Sequence, residues 1–217
     1  VTNGGDFDKV CVSKVTDMKK LFNDQANFNA DISKWDVSHV TDMESMFSDA
    51  SNFNQDISAW AVDSVTTMNN MFGFAKKFNQ DIGSWNVASV INFSRMFNYT
   101  DSFNQDIGNW NVGNATDFSG MFFGTESFNQ DLNSWNVGSA TNMSGMFQDS
   151  KAFNGNIGSW SVDSVTNMKS MFSQASFNQD IGSWDVSNVT DMESMFTDAS
   201  NFNQDIGSWD VGNVTNM

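Results

Sequence analysis

The chain has 217 residues and carries 26 acidic against 10 basic side chains, a formal charge of −16, with 39% hydrophobic and 14% aromatic residues. Its single cysteine forbids an intrachain disulfide framework and a multi-cysteine zinc site, and its single histidine argues against most histidine-based metal centres. The acidity argues against nucleic acid, whose phosphates need clustered Lys and Arg. No apolar run approaches the roughly 20 residues that span a bilayer, and no signal-peptide apolar region is visible.

In chain order, residues 1–9 read as an N-terminal cap or irregular lead-in, since Val1 to Phe7 follows no later pattern. Tryptophan then falls at Trp35, Trp60, Trp85, Trp110, Trp135, Trp160, Trp184 and Trp209, at intervals of 25 except one of 24. A fixed period of this size is the mark of a repeat array. Residues 10–209 divide into eight coils, Val10 standing where the first Trp is due, and Trp209 with residues 210–217 opens a truncated ninth; the whole reads as one domain. Numbering each coil from its Trp, position 13 is Phe from Phe22 to Phe196 and position 19 is Phe from Phe28 to Phe202. The short interval loses its residue between Phe172 and Phe177, which marks that segment as a surface turn.

Within one coil, Met43, Met46, Phe47 and Ala50 stand at i, i+3, i+4 and i+7, the spacing of one helical face. Thr41 precedes them as an N-cap, and Thr41 with Glu44, like Thr190 with Glu193, matches the capping-box spacing. A helix of about two turns is marginal alone, so stacking must hold it. Trp-x-Val alternates as a short strand does. The expected fold is therefore an α/β repeat with one short strand and one short helix per 25-residue coil. The strands would form a parallel ladder about 4.8 Å apart, in a rod roughly 40 Å long.

The units Phe-Asn-Gln-Asp-Ile-Gly-x-Trp-[Asp/Asn]-Val and Val-Thr-x-Met-x-x-Met-Phe resemble the repeats of BspA-type, leucine-rich-repeat-like surface proteins. More narrowly, they are similar to the roughly 25-residue repeat of unknown function in mycoplasma surface lipoproteins, other bacteria and marine algae. The likeness runs from about Val10 to Met217. It implies a right-handed leucine-rich-repeat-like solenoid, placed outside the cell or on its surface and used in adhesion, display or assembly. It implies no catalytic residues.

Three rows of polar residues are candidate sites. The Asn at position 20 (Asn29, Asn54, Asn79, Asn104, Asn129, Asn154, Asn178, Asn203) reads as an internal ladder, each amide satisfying a turn and bonding to the next coil. The Asp at position 22 (Asp31, Asp56, Asp81, Asp106, Asp131, Asp180, Asp205) would stack carboxylates about 5 Å apart, with a repulsion of about 3 kcal/mol per pair at an effective dielectric of 20. Asx turns or bridging Ca²⁺ would offset this; Asn156 breaks the row, and no other cofactor is implied. Six sequons, at Asn92, Asn98, Asn114, Asn142, Asn188 and Asn213, are either glycan acceptors or by-products of an Asn-, Ser- and Thr-rich chain. The Met and Phe rows are core. Cys11 is an exposed thiol or half of an intermolecular link, and His39 is a surface residue. One Thr per coil makes no Thr-x-Thr ladder of the kind an ice-binding face would show.

Catalysis finds no support. Paired carboxylates arise from repetition, and the breaks at Ile91–Tyr99 and Lys151–Asn156 join no nucleophile to a base. Lys9, Lys14, Lys19 and Lys20 crowd the start, whereas no Lys or Arg follows Lys169. The expected role is a non-enzymatic surface protein that stacks head to tail on itself into a fibre or layer. The alternatives are an adhesin taking protein or glycan on outward positions 2 and 4, and a calcium-stabilised surface module.

Overall fold

The structure is a computed structural model that describes residues 7–217; residues 1–6 of the expected lead-in lie outside the described residues. Among them, the only helical element is the 3-10 turn Phe7–Lys9, and extended pairing is limited to isolated parallel bridges. The expected α/β fold, with a short strand and helix in each leucine-rich-repeat-like coil, is thereby overturned. What remains is the stacking. Eight bridges link one residue per coil in series, from Asp17 and Asp42 through Thr67, Asn92, Asp117, Asn142 and Asn167 to Asp191 and Asn216.

The expected helix is absent because half of its N–H groups leave the coil. In the coil that begins at Trp35, Met43, Ser45, Phe47 and Asp49 donate to Thr67, Asn69, Met71 and Gly73 of the next coil at 2.8–3.2 Å. The alternate residues Met46, Ser48 and Ala50 close four-residue turns onto Met43, Ser45 and Phe47 at 3.0–3.2 Å. A left-handed residue at positions 11 and 15 drives this alternation, Ser45 at φ 54° and Asp49 at φ 60°. Each such residue costs an L-amino acid roughly 1–2 kcal/mol, less for Asn and Asp. Glycine removes the cost at Gly120, Gly124 and Gly145, which occupy the same two positions with φ of 60–69°. Successive turns return the chain inward at positions 9, 12, 13 and 16, so a turn series and a helix share one apolar spacing.

The Thr expected to cap a helix does something else. Thr66 donates its N–H and its Oγ1 hydrogen to the carbonyl of Thr41 one coil back, at 2.9 and 3.1 Å. Glu44 and Glu193 pair with Lys19 and Lys169 rather than closing capping boxes. The Trp-x-Val segment is not a strand either: Trp60 N–H closes a turn on Ile57 at 3.1 Å, and Val65 closes one on Val62 at 2.9 Å.

The coils bury one continuous core of Trp, Val, Met, Phe, Ile and Ala side chains from Val12 to Met195. Within each coil the Phe at positions 13 and 19 stack at 3.7–4.3 Å between ring centres. Position 13 rings follow one another between coils at 5.5–5.8 Å. Each indole N–H donates to the carbonyl 27 or 28 residues back, Trp60 to Ile32 at 3.2 Å and Trp160 to Leu132 at 2.8 Å. Trp35 donates likewise to Phe7 at 3.1 Å, so Phe7 holds the register of Ile32. The coil that is one residue short keeps its ring pair, Phe172 and Phe177, at 4.3 Å.

Candidate functional site

The Asn side chains of position 20 join the coils. Asn54 Oδ1 accepts the N–H of Asn79 at 2.9 Å and the Nε2–H of Gln80 at 2.9 Å, while Asn29 accepts from Asn54 at 2.9 Å. The same bond links Asn79 to Asn104, Asn104 to Asn129, Asn129 to Asn154, Asn154 to Asn178 and Asn178 to Asn203 at 2.8–3.0 Å. An amide oxygen facing a backbone N–H in every coil fixes register without a main-chain strand.

The Asp row lies on the surface, and each carboxylate accepts the N–H two residues on. Asp31 accepts from Ser33, Asp56 from Ser58, Asp81 from Gly83, Asp106 from Gly108, Asp131 from Asn133, Asp180 from Gly182 and Asp205 from Gly207, at 2.8–3.0 Å. Asn156 makes the same turn with Gly158 at 3.0 Å. The backbone of Ser33, with its hydroxyl, holds the Asp31 carboxyl below the usual range, and the hydroxyl and N–H of Ser58 do so for Asp56. Among the described residues, no three His, Cys, Asp or Glu side chains gather as a metal ion requires.

The sequons occupy three settings. Asn114, Asn188 and Asn213 are exposed along one edge and donate Nδ2–H to the preceding coil at 2.7–2.8 Å. Asn92 and Asn142, half-buried, accept N–H bonds from Ser94 and Ser144 at 2.8 and 3.1 Å. Asn98 is buried, and its Oδ1 has no partner among the described residues, so a glycan there would have to leave through the packed wall. Cys11 is exposed, with Sγ 3.4 Å from Ser13 Oγ, a bond that lowers its pKa. His39 Nδ1 lies 3.2 Å from Ser38 Oγ.

Two recesses open on the surface. At the far end, Met192, Met195, Phe196, Ile206, Trp209 and Met217 line an apolar cleft of about 600 Å³. On the side wall, Arg95, Ser119, Gly120, Phe123, Ser144, Gly145, Gln148 and Lys169 surround a notch of about 270 Å³. The notch exists because Gly120 and Gly145 fill position 11 in successive coils. A half-buried aromatic strip runs up to it: Phe74 stacks on Tyr99 at 4.9 Å, and Tyr99 meets Phe123 edge-on at 4.9 Å. Consecutive glycines and consecutive outward aromatics at positions that are otherwise polar were the available signal.

The model of the family described as Mycoplasma protein of unknown function, DUF285, matches residues 2–100, 80–176 and 156–217. The chain belongs to this family. Three tandem matches make it a DUF285 repeat protein, while the narrower BspA-type and leucine-rich-repeat-like attributes find no support in that match. No curated protein and no solved structure matches the chain. No helix of the described residues is long and apolar enough to cross a membrane.

Proposed function

We propose that this DUF285 chain is a non-enzymatic structural protein of the cell surface or extracellular space that associates with its own copies, the far end of one meeting the near end of the next. The bonding between coils supports the reading, since each coil gives N–H groups through one face and accepts them through the other. Ser170, Phe172 and Gln174 give their N–H groups to Glu193, Met195 and Thr197 at 2.8–2.9 Å.

Phe196, Phe202, Ile206 and Trp209 are partly buried, and Val10 and Leu21 are 47% and 41% exposed. The first 24 residues balance Lys9, Lys14, Lys19 and Lys20 with four Asp, whereas the last coil carries Glu193, Asp198, Asp205 and Asp210 with no Lys or Arg. Such a contact joins unlike surfaces, and it propagates unless it closes into a ring.

The test is the mass in solution of the chain and of two variants, Phe196→Glu and Leu21→Glu, by sedimentation. The expected result is concentration-dependent growth of the parent chain, monomers of each variant, and a one-to-one complex when the variants are mixed, since each retains the end that the other lacks. A parent chain that stays monomeric at about 1 mM, or a Leu21→Glu variant that still dimerises, refutes the proposal.

A further inference from the structure

We infer that the side-wall notch at Arg95 is a binding site for a sugar that carries a carboxylate, such as a hexuronic acid. Arg95 is the only arginine of a chain with 26 acidic residues, yet among the described residues it makes no ion pair or side-chain hydrogen bond. Its side chain leans over Gly120, where an added Cβ would come within 3.2 Å of Arg95 Cγ. Lys169 at the opposite end is paired with Glu193, so among the described residues the guanidinium is the unpaired cation of the notch. A guanidinium presents a planar fork of donors that matches a carboxylate in two-point contact.

The other lining groups suit a polyhydroxylated ring. Among the described residues the hydroxyls of Ser119 and Ser144 and the carboxamide of Gln148 make no hydrogen bond, although the neighbouring Ser94 hydroxyl accepts from Asn69 at 2.5 Å and donates to Asn92 at 2.6 Å. These groups offer both donors and acceptors, as sugar hydroxyls require. Phe123 supplies a flat apolar face beside them, held by Tyr99, whose ring fills the space over Gly124. An apolar peptide side chain would leave these polar groups unsatisfied. The notch lies below the 300–1,000 Å³ of drug-sized pockets, so it takes one small ring, or the end of a longer chain lying across it. It sits on the wall of the stack, away from both ends, and so stands independently of end-on association.

Calorimetric titration with methyl glucuronide and methyl glucoside tests the site. The charged sugar is expected to bind, the neutral one at least about tenfold more weakly, and salt to narrow the gap. Arg95→Asn, whose short side chain tolerates the φ of 56° there, should weaken the glucuronide about tenfold or more and leave melting unchanged. The double variant Ser119→Ala with Ser144→Ala should weaken both sugars. Equal affinity for the two sugars, no binding of either up to about 20 mM, or undiminished binding by Arg95→Asn overturns the assignment.

Discussion

Replacing Gly145 by alanine distinguishes a turn series from a helix by the sign of one stability change. In a helix interior the exchange stabilises by about 0.8–1.0 kcal/mol. In this structure Gly145 has φ 60°, where alanine loses roughly 1–2 kcal/mol. Restricting the unfolded chain returns about 0.4–1 kcal/mol, leaving a net loss near 1 kcal/mol. Sterics add little, because the nearest atoms to the new Cβ are Gln148 Oε1 at 3.2 Å and Cβ at 3.8 Å, both on a flexible side chain. The N–H bond to Lys169 at 2.7 Å is retained, so the loss is conformational. It should appear as a melting temperature lower by about 2–4 °C and an earlier urea midpoint by tryptophan fluorescence. Gly124→Ala, whose Cβ would lie 2.5 Å from the Tyr99 ring at φ 69°, should cost more. A Gly145→Ala protein more stable than its parent would refute the alternation of outgoing and turn-closing N–H groups.

Two further outcomes are expected. Asn54→Ala strips the acceptor from the Asn79 N–H and one acceptor from Gln80, a loss of about 1–2 kcal/mol in urea unfolding, whereas Asn54→Asp keeps an oxygen there and should cost less than about 0.5 kcal/mol. Serine hydrogen bonds lower the pKa of Asp31, Asp36, Asp56 and Asp185 in the folded chain, so their stabilisation is complete above the unfolded value near 4 and is lost as pH falls through the lower folded value. Changing all four to Asn, which makes the same turn at Asn156, should flatten the acid limb of melting temperature against pH and leave pH 7 melting close to the parent value.

Much of this arrangement can be read from the residues. The tryptophan interval gives the coil, the two Phe columns give the core, and the unbroken Asn column gives the cross-coil bond, because an amide side chain can satisfy a turn and bond to the next coil. The backbone path of positions 9–16 cannot be read that way. Met43, Met46, Phe47 and Ala50 point inward on either path, and periodicity reports facing, not hydrogen-bond partners. The discriminating residues were few: Gly120, Gly124 and Gly145, and Asp at position 15 in Asp24, Asp49, Asp149 and Asp198, which suit a left-handed backbone better than a helix interior. The notch was harder to see still, since it arises from side chains missing in two adjacent coils and from Arg95 in a third.

The hydrogen bonds seen between coils among the described residues span up to 28 residues along the chain, so they join each coil to its neighbours. Pulled by its two ends, such a molecule has no long loop to surrender at once. It peels from a terminus, and each detached coil frees about 25 residues, a gain of roughly 80–90 Å of contour at 3.3–3.6 Å per residue. Under load such a stack would pay out in near-equal steps and rewind one coil at a time.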